Sequence, residues 1–254
     1  MKQYSGIFLT LLVSFFLLSA HAQKKTMTWT TKSDKAHKYA ESGAEHMMNI
    51  EFPQAYEDFS KALELDPNFT IPLVFMANLT NGDMQKGYAA RALKSTEGKT
   101  LGEKLFATVA DQKNTPEQNR ATWDKLHTMF PDGSMIGNYY VVTRATQDEK
   151  FKAAQEYAKK FPDEGSIYNL IAYYYMLDKK DFPMAKVNFE KYIQLYPKGS
   201  NPYDSMGDYY FNAGDMANSE KYYKMAIEKY PFVSSSIDRL KEIKEKNDKK
   251  ASDK

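Results

Sequence analysis

Three histidines outside the first 30 residues, His37, His46 and His127, are the side chains of this chain most suited to proton transfer or metal binding. Their neighbours decide what each can do. His37, Glu41 and Glu45 stand at i, i+4 and i+8, one face of a helix, a geometry that could hold a divalent cation. No second His or carboxylate cluster completes a shell, so a solvated stripe on a terminal helix is the stronger reading. His46 and His127 fall on apolar stripes, the second beside Trp123, and read as packed residues rather than bases. No H-E-x-x-H, glycine-rich phosphate loop or Ser/His/Asp pattern is present. With Cys 0, disulfides, thiolate metal sites and thiol nucleophiles are excluded. No cofactor, metal or catalytic residue is expected, and the chain does not read as an enzyme.

The elements that must carry any site are legible as punctuation. Glu64-Leu-Asp-Pro67, His127-Thr-Met-Phe-Pro131, Lys159-Lys-Phe-Pro162, Gln194-Leu-Tyr-Pro197 and Glu228-Lys-Tyr-Pro231 each close an amphipathic stretch with Pro. The closing prolines are 64, 31, 35 and 34 residues apart, the first gap being close to two units. Phe52-Pro53-Gln-Ala55-Tyr-Glu-Asp-Phe59 is echoed by Phe182-Pro183-Met-Ala185-Lys-Val-Asn-Phe189, and Pro near a first helical position marks a helix start in both. Positions three, four and seven apart share a face, so Tyr203, Met206-Gly207 and Tyr210 should meet Ser219, Tyr223 and Ala226 of the next helix. No such unit buries its apolar face alone, so the units must stack.

A period near 34 with a large residue, a Leu-Gly-like pair, an aromatic, Ala, Phe and Pro resembles the tetratricopeptide repeat, a helix-turn-helix unit. The last copy, Tyr203, Met206-Gly207, Tyr210, Tyr223, Ala226 and Pro231, carries the resemblance best; the first has Tyr39, Ser42-Gly43, His46, Ala55, Phe59, Ala62 and Pro67. The resemblance implies an all-α right-handed solenoid over 34–231, with repeats at about 36–69, 70–99, 100–133, 134–165, 166–199 and 200–233. The unit closing at Pro162 is degenerate, with a second helix expected to be about three residues short. A capping helix is expected over 234–247 and a disordered tail over 248–254. The resemblance also implies that the first helix of each repeat lines a concave groove. Carried onto this chain, the groove positions include Asn138, Asn169, Tyr173, Met176, Asn201, Asp204, Asp208 and Phe211, with Tyr140, Tyr210 and Tyr223 in core slots. Family members that clamp a C-terminal carboxylate use Lys and Asn where this chain has Ala40 and Ala44, so that clamp is absent.

Lys2, an uncharged run from Ile7 to Leu18 and Ser19-Ala-His-Ala22-Gln23 fit a secretory leader cleaved after Ala22. The run of 12 residues is well short of the roughly 20 that span a bilayer, so no transmembrane segment is expected in the mature chain. Residues 23–33 read as a linker, with Ser33 or Asp34 as the first helix cap. Without the leader, 34 basic and 33 acidic residues remain, a balance without the basic face of a nucleic-acid binder. The expected protein is therefore a non-enzymatic scaffold of the bacterial cell envelope, periplasmic or extracellular. It should hold a protein or peptide, with Asp204 and Asp208 favouring basic residues in that partner. An exported enzyme or small-ligand binder with its site in the irregular stretch 98–150 is the alternative.

Overall fold

The structure, a computed structural model, describes residues 24–252; the expected leader and its cleavage site lie outside them. Thirteen α-helices and no strand occur among the described residues. They pair as α1 (Asp34–Met48) with α2 (Phe52–Leu65), α3 (Thr70–Leu79) with α4 (Gly82–Lys94), and α5 (Leu101–Ala107) with α6 (Pro116–Met129). The second half pairs α7 (Ser134–Val142) with α8 (Gln147–Lys160), α9 (Gly165–Tyr173) with α10 (Phe182–Leu195), and α11 (Asn201–Asn212) with α12 (Met216–Lys229). α13 (Ser234–Ser252) ends the stack and runs past the helix end expected at 247.

Local chemistry explains the starts. Ser33 Oγ accepts from Ala36 N, as expected of a cap, and Thr100, Thr115 and Thr146 form reciprocal capping boxes with Glu103, Gln118 and Glu149. Pro occupies the first turn of α2, α6, α10 and α11. Helix pairs then close on glycine. A Cβ built at Gly43, Gly137 or Gly207 would fall 2.6, 2.8 or 2.5 Å from the ring of Phe59, Tyr157 or Tyr223, so the facing aromatic occupies the space that glycine leaves. Gly207→Leu is expected to lower stability by about 1–3 kcal/mol through overpacking. An unchanged urea midpoint would contradict that contact.

One buried cluster runs through the first three repeats into the fourth. Phe59, Phe75, Phe106, Trp123 and Tyr139 form a ladder of rings with successive centroids 4.9, 5.6, 5.7 and 4.7 Å apart across four repeats. Tyr139, rather than Tyr140, joins that ladder; Tyr140 instead lies between the His127 ring and the Arg144 guanidinium, 4.2 and 4.0 Å away. Tyr223 is fully buried and Tyr210 half-buried against Tyr222.

Three expectations are corrected. The degenerate fourth repeat is short in its first helix: α7 has 9 residues, whereas α8 has the same 14 as α12. Gln147 simply starts α8 early. The stretch 98–150 is regular helix pairs, with α5 extended by a 3-10 turn at Thr108–Ala110. Residues 24–33 are a packed strap rather than a linker. Met27 is buried, Thr30 donates from N and Oγ1 to the fully buried Glu103, Thr31 donates to Asp66, and Lys25 and Asp132 bond each other's backbone.

Candidate binding groove

The curvature of the stack brings its first repeat against its last two. At the α1–α2 turn, Glu51 is 4% exposed and receives hydrogen bonds from Tyr196 Oη at 2.8 Å, Ser200 N at 2.6 Å, Ser200 Oγ at 3.0 Å and Asn201 N at 3.3 Å. His46 Nδ1 lies 2.8 Å from the same carboxylate, and its Nε2 is 3.7 Å from Asp58. Beside it, Tyr192 Oη donates to Asn49 Oδ1 at 2.9 Å and accepts from Asn201 Nδ2 at 3.1 Å. This polar latch joins residues about 150 positions apart. His46 is thus the part-exposed half of an ion pair with a buried carboxylate, where its repeat slot led us to expect a packed residue.

Burial opposes charge on both partners and is outweighed on both. His46 is raised above 6.5 because the bond and charge of Glu51, with the charges of Asp58 and Glu45, overcome burial. Glu51 is held below 4.5 because bonds from His46, Tyr196 and Ser200 overcome it. The His46 contribution is complete below its unfolded value and is lost as pH rises through the folded one. The Glu51 contribution is complete above its unfolded value and is lost as pH falls through the folded one. The stability difference between the wild-type chain and His46→Gln should therefore be largest between pH 4.5 and 6.5 and shrink on either side. Urea unfolding of both proteins across pH 4–9 measures it; a difference that grows toward high pH would contradict the latch.

The latched turn crosses the concave face and leaves a cleft on each side. One, of about 520 Å³, lies between the turn and α7 and α9, lined among others by Ile50, Phe52, Asn138, Asn169, Tyr173 and Leu177. The other, of about 580 Å³, lies toward α11 and the α12–α13 connection, where Ile50, Phe52, Gln54, Asn169, Tyr173 and Phe232 line it. They share Ile50 and Phe52 on one wall and Asn169 and Tyr173 on the other, so they are neighbouring lengths of one groove. Its rim carries exposed apolar side chains, Ile50, Phe52, Leu177 and Phe232 at 53%, 47%, 48% and 74%, beside the polar Gln147, Lys150 and Asp178. Ile50 has φ 61°, at a turn position where α11–α12 has Gly214 at 82° and α9–α10 has Lys180 at 56°. A β-branched residue there is strained.

Elsewhere, His37, Glu41 and Glu45 line a third cleft, of about 630 Å³, together with Trp29, Asp132 and Glu164. Burial and the charges of Glu45 and Asp163 raise the Glu164 carboxyl. Among the described residues no group of three or more His, Asp or Glu is placed to hold a metal ion. In the 98–150 stretch, Arg120, Tyr140, Arg144 and Glu149 border a smaller cleft of about 360 Å³. Burial and the charges of Lys160 and Arg144 lower His127.

No protein-family model matches the sequence, and no curated protein does. Solved structures do. A chain of the APC/C hetero-tetramer Cut9–Hcn1 is matched with a TM-score of 0.51 at 14% identity, over 82% of this chain and 42% of that one. A tetratricopeptide repeat protein from Parabacteroides merdae is matched with a TM-score of 0.51 at 14% identity, over 82% of this chain and 84% of that one. The chain has the tetratricopeptide-repeat fold. Among the described residues, six helix pairs and a closing helix form the all-α solenoid that the resemblance implied.

The solenoid brings some of the expected groove residues together and turns others away. Asn138, Asn169 and Tyr173 line the first cleft; Asn169, Tyr173, Asn201 and Asp204 line the second. Met176 is 1% exposed and belongs to the core between α9 and α11. Phe211 is covered by Arg239 and Lys246 of α13, whose charges lie 4.6 and 4.4 Å from its ring centre. Asp208 accepts from Tyr173 Oη at 2.8 Å and Tyr223 Oη at 2.6 Å, with Arg239 at 3.7 Å. Asp204, 8% exposed, accepts from Ser235 and Ser236. Burial and the charge of Asp208 raise its carboxyl above the usual range despite those bonds. Asp208 is thus held on both oxygens, by Tyr173, Tyr223 and Arg239, and Asp204 on Oδ1 alone, so the pair does not stand open to a basic partner as expected. The groove residues missed from sequence are Ile50, Phe52, Gln54 and Phe232. Only the unusual Ile at a turn position with a glycine counterpart marked any of them.

Proposed function

We propose that this chain is a non-enzymatic scaffold that holds a protein or peptide in its concave groove, and that it is exported to the cell envelope. The carrying observation is the groove itself, which sets exposed apolar side chains among polar ones between the latched α1–α2 turn and helices α7, α9 and α11. Unpaired apolar surface rimmed by polar groups marks an interaction site in soluble proteins. The strained, half-exposed Ile50 supports the same reading, since strain of this kind persists where the side chain has a use. Export rests on the leader-like residues from Lys2 to Ala22, and among the described residues no helix is long and apolar enough to cross a membrane. The test is photo-crosslinking in the native envelope, with p-benzoylphenylalanine placed at Phe52, Phe232 or Val187. The first two border the groove, whereas Val187, 58% exposed, lies on α10 away from it. A product from 52 and 232 and none from 187 is expected; the reverse pattern would move binding to the outer face.

A further inference from the structure

The cleft facing α11 is short of donors. Among the described residues, Gln54 Oε1 and Asn169 Oδ1 are buried side-chain oxygens without a hydrogen-bond partner, and both residues line this cleft. Asn169 is 5% exposed. Buried polar atoms are rarely left so, because an unmade hydrogen bond forfeits hydration with nothing in return. The terminal amide torsions of Asn and Gln are broad, so either oxygen can turn from the wall toward a donor in the cleft. The carboxylates Glu51 and Asp204 line the same cleft. Glu51 is bonded on both oxygens, whereas Ser235 and Ser236 both donate to Asp204 Oδ1 and leave Oδ2 open.

These oxygens specify a charged donor. Among the described residues no Lys, Arg or His lines the cleft. Burial and the charge of Asp208 act against the Asp204 carboxylate, and the charge of Arg239 does not offset them. A hydroxyl would satisfy the two amide oxygens and leave that charge unanswered; a cation answers both. An ammonium carries three N–H donors on a compact tip, one for each of Asp204 Oδ2, Asn169 Oδ1 and Gln54 Oε1, whereas a guanidinium spreads five over a rigid plane. The rest of the lining includes Ile50, Phe52, Tyr173, Tyr230 and Phe232. Such a wall suits an alkyl stem, and aromatic rings attract a cation. At about 580 Å³ the cleft falls in the range of small-molecule sites, roughly 300–1,000 Å³. The neighbouring length of the groove has Lys150 as well as Asp178 in its lining, so the cation belongs toward α11.

We propose that this cleft is a binding site for a small aliphatic amine, its ammonium donating to Asp204 Oδ2, Asn169 Oδ1 and Gln54 Oε1 and its alkyl chain lying against Ile50, Phe52 and Phe232. The site goes beyond the reading of the groove as a protein-binding face: it needs no polypeptide and stands on these atoms alone.

The test titrates the full, isotope-labelled chain with pentylamine hydrochloride and follows side-chain amide resonances by NMR. Saturable shifts of the Gln54 and Asn169 amides are expected. Pentanol, which lacks the charge, and pentyltrimethylammonium, which keeps the charge without N–H groups, are each expected to bind about tenfold more weakly or worse, the loss of a charged hydrogen bond. Asp204→Asn is expected to weaken pentylamine binding about ten- to hundredfold, and Asn169→Leu about five- to tenfold. Asn169→Leu should leave the melting temperature unchanged or raised, since it removes an unpaired atom; a merely structural role would lower it. Asp178→Asn, in the neighbouring length, should leave binding unchanged. The amide shifts test the same contact on the unaltered protein. No saturable shift, equal binding of pentyltrimethylammonium, or binding indifferent to Asp204→Asn and Asn169→Leu would overturn the proposal. Tighter binding of Nα-acetyl-lysine methylamide than of pentylamine would overturn the free amine and assign the ammonium to a lysine of a partner.

Discussion

Glu51→Ala is expected to destabilise the chain by about 3–5 kcal/mol, the penalty typical of removing one partner from a buried charged pair. The substitution strands His46, the Tyr196 hydroxyl and the Ser200 N–H, each of which now donates to that carboxylate. Its pattern is as informative as its size. Hydrogen exchange should rise in α1 and α2 and at the α10–α11 turn together, although these lie far apart in sequence, because one contact holds both. Glu51→Gln keeps an acceptor and should lose much less. A loss below about 1 kcal/mol for Glu51→Ala, the level of an exposed pair, would mean that the first repeat does not close onto the last two.

Removing residues 232–254 should have the second large effect. The deletion takes away α13, whose Ser236 and Ile243 are 0% and 1% exposed, and bares the end of the stack around Tyr223 and Ala226. Each large apolar side chain returned to water loses about 1.5–3 kcal/mol. Asp204 also loses its Ser235 and Ser236 donors, and Asp208 loses Arg239. A lower melting temperature and concentration-dependent aggregation are expected by calorimetry and light scattering. An unchanged melt would show that α13 does not dock.

Both effects come from opposite ends of what the sequence makes legible. Prolines at regular spacing, Gly43, Gly137 and Gly207 on the seams, and the stripe ending at Ile243 specify neighbours, because helix pairing is a local matter of period and side-chain size. They are enough to anticipate six helix pairs and a closing helix. Curvature is different, since a small rotation per repeat accumulates over the stack and no single residue encodes it. Hence Glu51 gave no sign that it would meet Ser200, nor Ile50 and Phe52 that they would line both clefts. Asp204 and Phe211 had repeat positions that suited a groove, but the residues that cover them belong to α13, beyond the repeat pattern, and Asp208 is bonded by Tyr173 and Tyr223 as well as by Arg239 of α13. Met176 was lost to a different cause, the π-helical turn at Tyr174–Lys179. There Asp181 N reaches back to Tyr175 O, six residues, where the equivalent turns close over five, Glu51 N to His46 O and Asp215 N to Tyr210 O. An extra residue shifts everything after it around the helix.

The proposed binding face is the concave groove under the latched turn. Hydrogen exchange of the full chain with and without its crosslinked partner tests it most directly. Protection confined to 47–54, 138–142, 166–177 and 230–235 is the predicted result. Protection over 184–194 on the outer face of α10, with those segments unchanged, would contradict it.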